Sequence, residues 1–164
     1  MTRPLSPSAL VRAAKHEDAV QISEILLYYA PLVVTDRDSP WAQKIFAGST
    51  VEAVRARLSD TSYVFLCAER DSRITGIISL HDNKAIAHFF VRDGCRGQRI
   101  GSALWQNARE LSLSKGNDVA IDVKSTLEAE PIYRHFGFEA VGEPQSQDGV
   151  HFVPMRFRFP SAVG

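Results

Sequence analysis

The chain has 164 residues, the length of a single domain, and its 19 Lys and Arg residues balance 19 Asp and Glu residues. Hydrophobic residues make up 45% and charged residues 23%, which is the composition of an ordinary folded protein and not of a disordered one. The zero formal charge excludes a global positive field that would attract nucleic acid or an anionic membrane. We expect one domain over residues 9–160, preceded by a flexible Pro- and Ser-rich tail over residues 1–8.

The sequence also bounds location and metal chemistry. The opening residues contain no apolar signal-peptide core, and no stretch approaches the ~20 apolar residues of a membrane span. Cys67 and Cys95 are too few for a disulfide framework and have no partner at metal-ligand spacing. We therefore expect a cytoplasmic protein with two free thiols and no metal, which binds neither nucleic acid nor membrane.

The N-terminal third predicts two helices. Apolar residues recur at helical spacing over residues 19–29, and Pro31 is expected to end this first helix. A long connection over residues 30–48 follows, and a loop of this length in a compact domain is usually functional. Residues 49–52 (STVE) have the form of a capping box, which predicts a second helix directly behind it.

Strands dominate the middle of the chain. Three runs of strand character lie at residues 63–68, 74–80 and 85–91, and the short polar breaks between them favour an antiparallel meander. Apolar positions between residues 100 and 111 then predict a helix that closes with Lys115 and Gly116.

The C-terminal part predicts a strand, a short helix and a hairpin. The strand covers residues 119–123, and the helix covers residues 128–136 with Gly137 as its cap. Two final strands, at residues 138–143 and 151–159, flank a turn at Asp148 and Gly149. Pro154 predicts an edge position or a bulge in the last strand.

The most informative segment is residues 89–102 (FFVRDGCRGQRIGS), where a strand runs through a glycine-containing loop into a helix. Unpaired N–H groups and the macrodipole at a helix N-terminus favour an anion, and glycine lets a phosphate approach the backbone closely. Two interpretations stay open on this evidence, a phosphate site and a plain strand-to-helix turn. The Walker-type loop and the dinucleotide-binding fingerprint are both absent.

Two segments resemble the GNAT superfamily of acetyl-coenzyme A-dependent N-acetyltransferases. Residues 96–101 (RGQRIG) are similar to the signature [QR]-x-x-G-x-[GA], with Arg99 in place of its first glycine. Residues 129–138 (AEPIYRHFGF) are similar to the family segment A-x-x-[FIL]-Y-x-x-x-G-F, and the order of elements over residues 11–159 fits as well. The resemblance implies an α/β (α+β) fold, with a mixed, mostly antiparallel splayed sheet flanked by helices.

The resemblance implies acetyl-coenzyme A as the acetyl donor. The backbone of residues 89–91 would bond the pantetheine arm, and one of its N–H groups would polarise the thioester carbonyl. Residues 97–102 would hold the pyrophosphate. For Arg92, Arg96 and Arg99, a phosphate contact and a solvated basic edge are both open. The implied cofactor contacts are Phe89, Phe90, Val91, Arg96, Gly97, Gln98, Arg99, Ile100, Gly101, Ser102 and Thr126.

Tyr133 matches the tyrosine that protonates the departing thiolate in many members of the family. A phenol suits this role because the conjugate acid of a thiolate has a pKa of about 8.5. The alternative is a tyrosine that packs its helix on the sheet. His88 and Asp122 are weak candidates for the general base, and each has an ordinary structural interpretation.

The resemblance implies direct attack of a bound amine on the thioester, without an acyl-enzyme. The expected acceptor is a primary amine of a small molecule or a protein N-terminus. Two alternatives are a non-catalytic acetyl-coenzyme A-binding sensor and a transferase of longer acyl groups. A homodimer is also expected, because the closing strand could extend the sheet across a two-fold axis through Phe152, Met155, Phe157 and Phe159.

Overall fold

The computed structural model describes residues 10–34, 36–147 and 150–161. The predicted tail and the turn at Asp148 and Gly149 lie outside these ranges. The helices are α1 (Ala19–Val33), α2 (Pro40–Ala47), α3 (Val51–Leu58), α4 (Ile100–Ser114) and α5 (Glu130–His135). The strands are β1 (Leu10–Ala13), β2 (Tyr63–Arg70), β3 (Arg73–His81), β4 (Ala85–Val91), β5 (Ala120–Ser125), β6 (Glu139–Ala140), β7 (Gln145–Gln147) and β8 (Val150–Arg158).

The strand order is β1-β2-β3-β4-β5-β8-β6, with β7 also paired to β8. All of these pairs are antiparallel except β4 with β5, which run parallel and share one residue pair, Ala85 with Asp122. Beyond that pair the ladder stops, and β4 continues to Val91 while β5 continues to Ser125. The fold is therefore the mixed, mostly antiparallel, splayed sheet that the sequence predicted.

Each face of the sheet carries an apolar core. On one face, α4 buries Leu104, Trp105 and Ala108 together with the inward side chains of β8. On the other face, α1 and α3 bury Ile22 and Val54 against β2 and β3. Burying such aliphatic and aromatic side chains is the main favourable term in folding, at roughly 25 cal/mol for each Å² of apolar surface.

Two predictions for the first helices were wrong. Helix α1 does not end before Pro31 but continues to Val33. Pro31 has no N–H to donate to the Leu27 carbonyl, and the burial of Ala30 and Val34 holds the chain against the core despite this loss. The connection over residues 30–48 contains α2. Its start follows ordinary rules, since Ser39 accepts a hydrogen bond from the Ala42 N–H at 3.1 Å and Pro40 occupies the first helical position.

The predicted capping box is shifted by one residue. Thr50, and not Ser49, is the N-cap of α3, and its hydroxyl accepts from the Ala53 N–H at 3.2 Å. Ser49 is buried and donates instead to the Ile45 carbonyl at 2.6 Å. The helix itself follows directly, as predicted.

The middle of the chain agrees with the sequence, and the C-terminal hairpin only in part. Strands β2, β3 and β4 form the predicted antiparallel meander, and α4 and α5 lie within a few residues of their predicted bounds. Strand β6 is only two residues long, and β7 was missed because its three residues are polar. Pro154 is not at an edge of the sheet, since β8 has β5 on one side and β6 and β7 on the other. It lies in the break between the β6 and β7 pairings, an irregularity like the bulge that was the alternative expectation.

This position of β8 removes the reason for expecting a dimer. Phe152, Met155, Phe157 and Phe159 are all buried within the chain, and β8 is an interior strand that cannot extend the sheet. The stated basis for the homodimer was therefore wrong, while the oligomeric state stays a prediction. Within the residues described, no helix is long and apolar enough to cross a membrane.

Candidate active site

The loop between β4 and α4 has the backbone of an anion site. Gly97 and Arg99 both have left-handed φ angles, of 81° and 61°, directly before α4 begins at Ile100. The first N–H groups of α4 have no intrahelical acceptor, and no side chain among the described residues caps the helix. Left-handed residues beside a helix start turn successive N–H groups toward one point, which favours an anion there.

Arg99 replaces the first glycine of the signature and has a left-handed backbone. The position needs a left-handed backbone, which glycine adopts freely and which costs another residue roughly 1–2 kcal/mol. Arg99 adopts it nevertheless, with φ 61° and ψ 20°. This chain therefore has a left-handed residue at the position where the signature has a glycine.

Two glycines set the spacing around the helix start. At Gly76 in β3, an added Cβ would lie 3.0 Å from Leu104 and 3.1 Å from the Phe90 carbonyl oxygen, so this glycine lets α4 approach the sheet. At Gly101, an added Cβ would meet nothing closer than Val91 at 3.8 Å. The described fold has space for a side chain at Gly101, and the absence of one leaves the helix start open to a ligand.

The arginines around the loop divide into two groups. Arg92 donates to the Ile74 carbonyl at 2.7 Å and lies 3.5 Å from Glu24, so it is engaged toward β3 and α1. Arg96 and Arg99 lie in the loop and are exposed. These two are therefore the arginines that a ligand at the loop can meet.

One edge of β4 faces the cleft between β4 and β5. The pairing of Val91 with Gly76, together with the bond from the Arg92 N–H to the Thr75 carbonyl, directs the backbone groups of Phe90 toward β3. The backbone groups of Phe89 and the N–H of Val91 alternate with these and face the cleft, while the Val91 carbonyl accepts a hydrogen bond from the Tyr29 hydroxyl at 2.6 Å. Among the described strands, β5 offers them no pairing beyond Ala85 and Asp122.

A β-bulge shapes the same strand. Ile86 pairs with Leu80 and His88 with Ser79, which leaves Ala87 as an extra residue. Bulges redirect side chains and are common beside active sites. Sequence reasoning gave no way to place it, because the register depends on both strands.

Tyr133 lies against the cleft strand. Its ring packs edge-on against Phe89, with centroids 6.1 Å apart, and against Phe138 at 5.3 Å. The side chain is buried, and burial raises the pKa of its phenol above the ordinary value. Among the described residues its hydroxyl has no hydrogen-bond partner. Tyr133 is thus a protonated phenol at neutral pH and a weaker acid than an exposed tyrosine, and its role as a proton donor stays a prediction.

Thr126 has a structural task close by. Its hydroxyl oxygen accepts a hydrogen bond from the Ala129 N–H at 3.2 Å, in the turn that leads into α5. This contact orients the helix that carries Tyr133. A contact of Thr126 with a cofactor stays a prediction.

The two candidate bases lie apart and are both engaged. His88 faces the α1 and α3 side, where its ring stacks on Phe65 and its Nδ1 lies 2.7 Å from the Ser79 hydroxyl. Burial lowers the pKa of His88 to about 4, so it is neutral at physiological pH but weakly basic. Asp122 lies at the paired end of β4 and β5 and binds Arg156 through two contacts of 2.6 and 3.2 Å.

A family model described as an acetyltransferase (GNAT) domain matches residues 34–159, which include the loop, the cleft strands and Tyr133. This chain belongs to the GNAT acetyltransferase family. Family membership makes it an acyltransferase, and it leaves the acceptor open. A search of curated proteins found no match.

Solved structures with similar folds agree with the family. A GCN5-related N-acetyltransferase from Rhodopseudomonas palustris has a TM-score of 0.76 at 20% identity, over 97% of this chain and 100% of that one. The PaiA N-acetyltransferase from Thermoplasma acidophilum, solved with coenzyme A, has a TM-score of 0.72 at 20% identity, over 93% and 99%. An aminoglycoside 6'-N-acetyltransferase, also with coenzyme A, has a TM-score of 0.73 at 12% identity, over 94% and 99%. At these identities the likeness shows a shared fold.

Proposed function

We propose that this protein is an N-acetyltransferase that moves the acetyl group of acetyl-coenzyme A directly onto a primary amine. The observation that carries the proposal is the β4–α4 loop, which keeps left-handed residues and an uncapped helix start within the segment matched by the family model. Such a loop suits a pyrophosphate, because backbone donors and the helix dipole both favour negative charge.

In this proposal the backbone from Gly97 to Ser102 holds the pyrophosphate, and Arg96 and Arg99 add charge-assisted contacts. The cleft-facing backbone of Phe89 and Val91 bonds the pantetheine arm. One strand N–H donates to the thioester carbonyl and stabilises the negative charge that develops on its oxygen, a contribution of about 3 kcal/mol in comparable sites.

The chemistry requires one proton donor and one proton acceptor. The amine nitrogen bonds to the thioester carbon, the carbon–sulfur bond breaks, and Tyr133 gives its proton to the departing sulfur. The attacking nitrogen loses a proton to water, because His88 is bonded to Ser79 and weakly basic, and Asp122 is engaged by Arg156. Bulk water then returns a proton to Tyr133.

The acceptor is proposed as a primary amine of a small molecule or of a protein N-terminus. Similar structures include aminoglycoside 6'-N-acetyltransferases, so aminoglycosides belong in a first panel of amines beside polyamines, amino acids and peptides. The panel is incubated with acetyl-coenzyme A, and released thiol is measured.

Calorimetry with coenzyme A and acetyl-coenzyme A completes this test. We expect saturable binding of both and amine-dependent thiol release. Binding without turnover of any amine would instead support a non-catalytic sensor. The proposal fails altogether when neither coenzyme binds to the folded protein.

A further inference from the structure

Helix α1 contacts the loop after β4 through hydroxyl groups. The hydroxyl of Tyr28 donates to one carboxylate oxygen of Asp93 at 2.6 Å. The hydroxyl of Tyr29 donates to the Val91 carbonyl at 2.6 Å and lies 3.0 Å from the other Asp93 oxygen. Arg96 completes the group, with its guanidinium 3.3 Å from Asp93. We refer to Tyr28, Tyr29, Asp93 and Arg96 as the tyrosine clamp.

Tyr29 is the fixed part of the tyrosine clamp. Its side chain is buried, and its ring stacks on Phe90 with centroids 5.1 Å apart and planes 7° from parallel. Because the ring cannot move freely, its hydroxyl holds the end of β4 at the Val91 carbonyl. Tyr28 is more than half exposed and contributes at the rim.

The tyrosine hydroxyls stabilise the negative charge of Asp93. The hydrogen bond from Tyr28 lowers the pKa of Asp93, and the Tyr29 hydroxyl, whose one proton is shared between the Val91 carbonyl and Asp93, lowers it further, so Asp93 is ionised at neutral pH. Its charge holds Arg96, whose guanidinium also lies 5.9 Å from the centroid of the Tyr29 ring. An ion pair between exposed side chains is weak, so a phosphate with higher charge can displace Asp93 from Arg96.

Three other charged residues lie around the clamp, and the one carboxylate among them, Glu24, is near Arg92 and not near Arg96. Arg92 is engaged by the Ile74 carbonyl and Glu24, and Arg73 lines the same shallow cavity between α1 and the loop. The tyrosines lie in α1, outside the residues matched by the family model. The family match therefore includes Asp93 and Arg96 but not the two tyrosines of the clamp.

We infer that Tyr29 and Asp93 are positioning residues for the coenzyme site. Tyr29 fixes the end of β4 and the Asp93 carboxylate, and Asp93 holds the Arg96 guanidinium beside the loop before the phosphates arrive. On binding, Arg96 exchanges Asp93 for phosphate oxygens while Asp93 stays bonded to the tyrosines. This inference rests on the proposed function.

Tyr29→Phe tests the fixed hydroxyl, because it keeps the stacked ring and removes only the hydrogen bonds. We expect the Kd and KM for acetyl-coenzyme A to rise about 5- to 10-fold, the effect of about one lost hydrogen bond, with kcat at saturation little changed. Tyr63→Phe is the matched control, since Tyr63 also packs on the α1 face but contacts Arg57 and His81 instead of the loop.

Asp93→Asn tests the charge at a residue whose exposure makes misfolding a minor concern. We expect a smaller loss of coenzyme affinity than in Tyr29→Phe, of no more than about 5-fold, because the exposed pair with Arg96 is weak and because losing the Asp93 charge also relieves repulsion of the phosphates. The effect should be non-additive when Asp93→Asn is combined with Arg96→Gln in a double-mutant cycle. Additive losses, or wild-type affinity in both Tyr29→Phe and Asp93→Asn, would overturn the inference and leave the proposed function standing. Failure of the wild-type protein to bind coenzyme A would instead overturn the proposed function.

Discussion

The two ends of the β4–β5 junction differ in how they use their polar groups. At the paired end, Asn117 donates to the Asn83 and Ala120 carbonyls, and Asp122 binds Arg156. At the open end, β4 keeps a cleft-facing backbone edge without a strand partner in the described structure, and α4 begins without a side-chain cap. Buried polar groups normally pair within a protein, so groups that face a cleft without a protein partner are available to water or to a ligand.

Tyr133→Phe, a change at the open end, is expected to have the largest effect of the variants, and that effect is on kcat. The change keeps the ring contacts with Phe89 and Phe138 but removes the titrating group, so folding and coenzyme binding should change little. General acid catalysis contributes about 10²–10⁴-fold, so kcat should fall by that factor at similar KM. Full kcat, with chemistry shown to be rate-limiting, would leave Tyr133 as a packing residue.

Gly101→Asp adds a negative charge where the pyrophosphate is proposed to lie. The described fold has room for the side chain, so stability should survive. Like-charge repulsion costs several kcal/mol, and we expect coenzyme affinity to fall about 10³-fold in calorimetry. Asn107→Asp is the control, because it adds the same charge to an exposed position of the same helix. Equal affinities in the two variants would contradict the assigned site.

The low pKa of His88 predicts pH-dependent stability on the α1 face, away from both ends. The folded pKa is about 4 and the ordinary value 6.5. The unfolded chain therefore takes up a proton that the folded chain resists, and stability falls as the pH drops from about 6.5 to 4. The loss is on the order of 3 kcal/mol. Denaturant unfolding of wild type and His88→Gln checks this, and parallel pH profiles would refute it.

The smallest expected effects concern two residues, one near each end of the β4–β5 junction, that have nearly the same left-handed φ angle. Arg99 at the open end has φ 61° and Asn83 near the paired end has φ 60°. Arg99→Gly should stabilise the fold by about 1 kcal/mol, because glycine relieves the left-handed strain. Asn83→Gly should destabilise it, because Asn tolerates this φ and donates to the Ser112 carbonyl. Thermal unfolding would contradict the role of backbone strain if Arg99→Gly and Asn83→Gly changed the stability in the same direction.

What the sequence could predict depends on how local each signal is. The meander of β2, β3 and β4 follows from alternating residues and short breaks, and α4 from its apolar period. The strand–loop–helix order around residues 89–102 and the short helix that carries Tyr133 could be predicted because each rests on one short segment. Helix α2 was missed because its Ser39 cap and Pro40 start were taken as part of a loop.

Other features depend on contacts that no short segment encodes. The bond from Asp122 to Arg156 spans 34 residues, and that from Tyr29 to Asp93 spans 64. The neutral state of His88 depends on burial among side chains from other strands and helices. Long-range packing therefore decides which polar residues remain free for chemistry, and the sequence alone offered His88 and Asp122 without showing that both are engaged.

The contrast between the two ends is tested most directly by following backbone amide signals in a coenzyme A titration by nuclear magnetic resonance. The account predicts large shifts at residues 97–102 and at Phe89 and Val91, with little change at Asn83, Asn117 and Asp122. Shifts concentrated at the paired end, or none at residues 97–102 when coenzyme A is bound, would contradict the central claim that the open end is the coenzyme site.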